Sequence, residues 1–308
     1  MAAASNPAER GLASVTGTDA RCGAPGPDVV LFASYGTTRG GQRSAALEPV
    51  ADALAAAFPG VQAAWAYTSA KVRRALAARG EPVPGVDAAL AALAEAGARR
   101  VLVQPGHVVA GAAFSLVEDA AAAACAQGAF ERLELGAPLL AGMDDVRAVA
   151  GVLDGRYAPR PGAAVLLAGH GADASAGLPY AALGCELHIR GRADVLVACM
   201  HGYPDLPSVL ALLERRALAD ATFARERRVV LVPFMLTAGA HAQQDLAGAG
   251  AGSWKSQLER AGYVVEPQLT GLGALPGIQR LYVAHARAAW RQKGRLHPGQ
   301  EQKPIIGA

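Results

Sequence analysis

The stretch Ala164–Ser175, AVLLAGHGADAS, sets the reading of the whole chain. Its apolar half is short and uninterrupted, and it stops at Gly169, His170 and Gly171. A run of this kind bounded by glycine marks a strand buried on both faces of a parallel sheet. A histidine held between two glycines at the end of such a strand stands where α/β folds place their ligands. Four further runs share the pattern: DVVLFASYG from Asp28, RVLVQPG from Arg100, ADVLVACMHG from Ala193 and RVVLVPFML from Arg228. Between the runs lie Ala/Leu segments with helical spacing, namely Ser44–Phe58, Val86–Gly97, Asp205–Leu218 and Ser253–Gly262. Alternating strands and helices predict an α/β protein with its site beyond the strand carboxyl ends.

The chain also repeats itself. Leu31–Gly36 (LFASYG) aligns with Leu166–Gly171 (LLAGHG), and the run from Arg100 aligns with the run from Arg228. The second alignment matches Pro105 to Pro233 and Ala110-Gly111-Ala112 to Ala238-Gly239-Ala240. Two matches in the same order at similar intervals predict duplicated half-molecules facing each other across a cleft, where ligands usually sit. The expected division is a disordered tail over 1–27, an N-terminal α/β lobe over 28–145, a C-terminal α/β lobe over 146–291 and a second tail over 292–308.

Composition narrows the function classes. The 308 residues are 52% hydrophobic and 18% charged, which suits a globular protein with a substantial core. A net charge of +3 with no basic stripe argues against nucleic acid as a partner. No apolar run approaches the ~20 residues of a membrane span. The N-terminal segment lacks the apolar core of a signal peptide, so a cytoplasmic location is expected. Cys22, Cys125, Cys185 and Cys199 are widely spaced, which predicts reduced thiols and not a disulfide framework or a zinc knuckle.

Three histidines of the later half, His170, His201 and His241, fall at or just past the carboxyl ends of predicted strands. The earlier half carries Tyr35 opposite His170 and Ala113 opposite His241. The fold therefore does not need these imidazoles, which favours a metal site over three separately satisfied core or capping histidines. Neutral imidazole suits Co²⁺, Ni²⁺, Fe²⁺ and Zn²⁺ at roughly 2.0–2.2 Å, and it can also accept a proton near neutral pH. Neither GHG nor SYGTT is a P-loop or a GxGxxG, so phosphate cradling is set aside. Gly169 stands where a histidine phosphatase would carry arginine. His107, pseudo-symmetric to Met235, is given no role. His188 is expected on a surface connection, His285 is read as structural, and His297 belongs to the tail.

SYGTT (Ser34–Thr38), AYTSAKVRRAL (Ala66–Leu76), GHG (Gly169–Gly171), TAGAHAQQDLAG (Thr237–Gly248), SWK (Ser253–Lys255) and TGLGALPGIQRLYVAH (Thr270–His285) occur in the order seen in one family. From about Asp28 to Ala289 the chain resembles the sirohydrochlorin cobaltochelatases of the anaerobic, CbiK type. The resemblance implies a ferrochelatase-like fold of two α/β lobes, each a parallel sheet flanked by helices, related by a pseudo-twofold with the active site between them.

It further implies insertion of a divalent metal into sirohydrochlorin in cobalamin or tetrapyrrole biosynthesis. Co²⁺ is the expected metal substrate, Fe²⁺ and Ni²⁺ are alternatives, and no organic cofactor is needed. The family's metal residues, two histidines and a glutamate, fall on His170, His241 and His201. The last is a departure, because imidazole replaces carboxylate; Asp205 or Glu186 would be the compensating acid. His170 is the expected principal ligand and proton acceptor, with His241 sharing the catalytic role. Ser34 and Tyr35 are expected on the wall that meets the ring. Arg39, Arg43, Lys71, Arg73 and Arg74 are candidates for its carboxylates, since guanidinium forks suit them. A non-catalytic metal or tetrapyrrole carrier is the alternative function, and a homo-oligomer is left open. A zinc hydrolase is disfavoured, because no paired carboxylate or water-activating motif accompanies the histidines.

Overall fold

The computed structural model describes residues 27–172, 174–239 and 242–291. The predicted tails apart from Pro27, together with Asp173, Ala240 and His241, lie outside them. The runs read as strands form β1 (Asp28–Ser34), β3 (Arg100–Pro105), β5 (Ala163–Gly171), β6 (Val195–His201) and β7 (Arg228–Phe234). Three more strands, β2 (Gln62–Tyr67), β4 (Arg132–Leu135) and β8 (Val264–Pro267), complete two parallel four-stranded sheets. The strand orders are β2-β1-β3-β4 and β6-β5-β7-β8, which is one topology used twice.

The duplication holds to the residue. In the first sheet Ala66, Ala33 and Pro105 lie side by side, and in the second Ala198, Ala168 and Pro233 do. Tyr35 and His170 therefore leave equivalent strand ends, each followed by a glycine of positive φ, Gly36 at 88° and Gly171 at 85°.

Helices fill the connections: α1 (Glu48–Ala57), α2 (Ala70–Ala77), α3 (Val86–Glu95), α4 (Ala112–Ala126), α5 (Met143–Arg156), α6 (Leu178–Ile189), α7 (Leu206–Ala219), α8 (Ala221–Glu226), α9 (Trp254–Arg260) and α10 (Pro276–Arg291). The helix expected over Ser44–Phe58 begins instead with a wide π-type turn, Arg43–Leu47, and becomes α-helical at Glu48. Pro49 lies in its first turn, where a missing N–H costs nothing. Among the described residues no helix is long and apolar enough to cross a membrane.

Side chains alternate across each sheet, as strand geometry requires. Val30, Phe32, Leu167, Val232 and Phe234 point inward to one cluster shared by both lobes, while Leu31, Val103, Leu166 and Leu231 face the outer helices. Each large apolar side chain so buried contributes roughly 1.5–3 kcal/mol. Helix α10 follows the second sheet in sequence yet packs on α1 and β3 of the first. The Tyr282 hydroxyl donates to the His107 carbonyl at 3.2 Å. At its far end the Trp290 carbonyl accepts from Arg100 and Arg132, and the Arg100 guanidinium lies 3.3 Å from the Trp290 ring centroid. The terminal helix thus ties the two lobes together.

The lobes meet through their strand-end loops in reciprocal pairs. A side chain on Gly239, after β7, would come 3.6 Å from Thr37 Oγ1, after β1. A side chain on Gly111, after β3, would come 3.3 Å from the Ala172 Cβ, after β5. These contacts are pseudo-twofold mates, since Gly111 matches Gly239 and Thr37 matches Ala172. Gln42 adds a hydrogen bond, accepting from the Ala238 N–H at 3.1 Å.

Candidate metal and macrocycle site

The site is built at the carboxyl ends of β5 and β6, where Gly171 pairs in register with His201. His170 and His201 are both exposed, and their rings lie 5.0 Å apart between centroids, tilted by 54°. Their burial changes abruptly with position: Ala168 and Cys199 are within the core, and the histidines emerge where the strands end. Gly169 makes room for Tyr180, whose ring fills the space that a side chain there would take. Burial raises the Tyr180 phenol above its ordinary range and pushes the Cys199 thiol up to about 12, so the layer beneath the imidazoles is neutral.

His241 lies outside the described residues, two positions beyond Gly239 at the lobe seam. Among the described residues no group of three His, Cys, Asp or Glu side chains is placed to hold a metal. The described part of the site is the His170–His201 pair. Neither proposed compensating acid joins it. Asp205 caps α7, its carboxylate accepting from the Ser208 hydroxyl and from the Ser208 N–H at 2.9 Å, and these two bonds hold its pKa below the ordinary range. Glu186 lies on α6 and pairs with Arg190 at 2.8 Å; α6 has by then run back towards the amino end of β6.

The residues expected to meet the macrocycle divide. Tyr35 is 47% exposed at the strand end equivalent to that of His170. Ser34 is fully buried, and its hydroxyl has no partner among the described residues, so burial removes it from the cleft wall. Arg39 and Lys71 are exposed, as is Arg74. Arg73 instead lies half-buried against Gly85, at the start of α3. Arg43 pairs with Glu48 at 3.7 Å and Glu81 at 3.6 Å. Arg73 and Arg43 are therefore committed to the lobe's own structure. Thr37 and Gln42, which approach the loop carrying Gly239, were not singled out from sequence; Thr37 lies in the SYGTT motif, whereas Gln42 lies outside it and had no signal.

Of the remaining described histidines, two are structural in setting and one is on the surface. His188 is exposed on α6. His285 pairs with Asp145 at 2.7 Å, joining α10 to α5. His107 is buried, its Nε2 3.4 Å from Thr68 Oγ1 and its Nδ1 without a partner among the described residues. Burial pushes its pKa down to about 4. The unfolded chain protonates this ring near 6.5 and the folded one resists until about 4. Stability is therefore unaffected above pH 6.5 and lost as the pH falls through that window, by roughly 3 kcal/mol in all. His107→Met, which installs the residue of the twin position, should flatten this loss. Urea unfolding at pH 7 and pH 4.5 checks it, and an unchanged difference between the two pH values would refute it.

Known proteins of similar sequence and fold place the chain in a family. The family model described as cobalt chelatase (CbiK) matches residues 28–291. Sirohydrochlorin cobaltochelatase CbiKC of Nitratidesulfovibrio vulgaris is 33% identical over 263 residues, covering 84% of this chain and 89% of that protein. Sirohydrochlorin cobaltochelatase of Salmonella typhimurium is 30% identical over 242 residues, covering 77% and 86%. Among solved structures, SirB from Bacillus subtilis with Fe³⁺ superposes with a TM-score of 0.56 at 14% identity, covering 85% of this chain and 95% of SirB. DR2241 from Deinococcus radiodurans, whose structure is described as similar to chelatases with two additional domains, gives 0.55 at 18% identity, covering 87% and 56%. Those two support the two-lobed architecture, while the family match and the two relatives reach further: this chain belongs to the CbiK family of cobalt chelatases.

Proposed function

We propose that this chain inserts Co²⁺ into sirohydrochlorin, with His170 and His201 on the metal side of the cleft and His241 completing the set. The observation that carries the reading is the pair of exposed imidazoles 5.0 Å apart at two adjoining strand ends, in a chain of the cobalt chelatase family. Insertion exchanges one divalent ion for the two N–H protons of the macrocycle, so the ion must shed ligands while an acceptor takes the protons. Imidazole serves both needs, binding the ion through a neutral nitrogen and accepting a proton near neutral pH. Tyr35 faces the ring from the other lobe, and the exposed Arg39 and Lys71 suit its peripheral carboxylates. The test is to mix purified protein with sirohydrochlorin and Co²⁺ and follow the absorbance change. A rate above the protein-free control is expected, and a rate equal to it would overturn the reading.

His201 stands where the resemblance implies a glutamate, and it makes the described pair entirely nitrogen-donating. Neutral nitrogen donors favour Co²⁺ and Ni²⁺ over the harder Fe²⁺, whereas a carboxylate narrows that gap. His201→Glu should raise the Fe²⁺ rate relative to the Co²⁺ rate by about tenfold. Parallel assays with the two metals measure this, and an unchanged ratio would show that position 201 does not set preference.

A further inference from the structure

Contiguous apolar surface left open to solvent beside a cleft marks a contact surface, whereas single exposed apolar side chains do not. Two of the most exposed large apolar side chains among the described residues, Tyr203 at 67% and Leu178 at 66%, sit on segments that approach each other. A side chain on Gly177, just before Leu178, would come 3.9 Å from the Tyr203 carbonyl oxygen. Gly177 and Gly202 also both close on the Ala172 carbonyl, each with its Cβ direction 2.8 Å from that oxygen. The segments after β5 and after β6 are thereby packed together, with Tyr203 two residues beyond His201 and Leu178 opening α6.

We propose that Tyr203 and Leu178 form an apolar shelf on which one face of the tetrapyrrole rests, on the β6 side of the metal histidines. The proposal rests on the chelatase reading and adds a macrocycle contact to it. A planar ring centred on an ion that His170 and His201 can reach must extend past both imidazoles over the strand ends. β6 is one of the two edge strands of its sheet, so no further strand supplies a wall beyond His201. The Gly202–Pro204 connection and the first turn of α6 are what the ring meets there. A phenol suits that place, because its ring stacks on a π-system while its hydroxyl stays wet beside the macrocycle's carboxylates. Leucine adds apolar area and no competing polar group.

Titrating metal-free protein with sirohydrochlorin, followed by the tetrapyrrole's fluorescence, isolates the contact from insertion. Tyr203→Ala should raise Kd about tenfold and Leu178→Ser about threefold, with Tyr203→Phe within about twofold of wild type. Affinity for Co²⁺ alone should stay within about twofold in all three, since none is a metal ligand. Unchanged macrocycle Kd values in Tyr203→Ala and Leu178→Ser would overturn the proposal. A lowered sedimentation coefficient with unchanged Kd would overturn it too, by assigning the patch to a second copy of this chain. Wild-type protein that binds the macrocycle but inserts no cobalt would refute the proposed function and leave the shelf standing; no macrocycle binding would refute both.

Discussion

Replacing His170 by alanine is expected to lower cobalt insertion by roughly 10²-fold or more, through loss of both a metal ligand and a proton acceptor. The fold should survive within about 0.5 kcal/mol of wild-type stability. His170 emerges from the sheet at the end of β5 and is exposed, so its side chain supports no core packing. The first lobe makes the same turn with Tyr35, followed by Gly36 at nearly the φ of Gly171, and so shows that the backbone needs no imidazole there. Initial insertion rates alongside thermal melts and circular dichroism separate the two effects. A rate within a few-fold of wild type would remove His170 from the mechanism.

Gly171→Ala should damage stability and activity together. Gly171 has φ of 85°, in the region where an L-residue pays about 1–2 kcal/mol. A methyl group there would also overlap the carbonyl oxygen of His201, a backbone atom on the paired strand that has no rotamer to give way. The ends of β5 and β6 must part to admit it, and they carry the two imidazoles 5.0 Å apart. A fall in Tm of at least about 2–4 °C is expected. Cobalt insertion should drop roughly tenfold or more even at temperatures where the variant is folded, since a 1 Å misplacement of reacting groups can cost more than that. A variant with full activity and a wild-type melt would show that the strand ends relax without cost. At Gly36, by contrast, the obstacle is the side chain of Tyr67, so the twin lobe tests the same φ against a different neighbour.

What could be read in advance follows the physics of burial. The central strands β1, β3, β5 and β7, and the edge strand β6, are apolar on both faces because helices or the other lobe cover them, and such runs stand out in a sequence. β2, β4 and β8 are also edge strands and half-exposed, and RLEL or VVEP carries little of that signal. The repeat was legible because both lobes use one strand order, and shared register places Pro105 and Pro233 beside equivalent alanines.

Residue types and spacing alone determined that this chain is a duplicated α/β protein with histidines at the strand ends of its later half only. They also identified Tyr35 as the counterpart of His170. Tertiary structure alone decided which of the candidate groups face the cleft. Ser34 went into the core, Arg43 and Arg73 were taken up by their own lobe, and Glu186 was carried to the far end of β6. Tyr203 and Leu178 were left open to solvent on the segments that follow β6 and β5. The reason is one of range: periodicity reports which face of an element is buried, a local property, whereas convergence at a cleft depends on loops from two lobes meeting across contacts far apart in the chain.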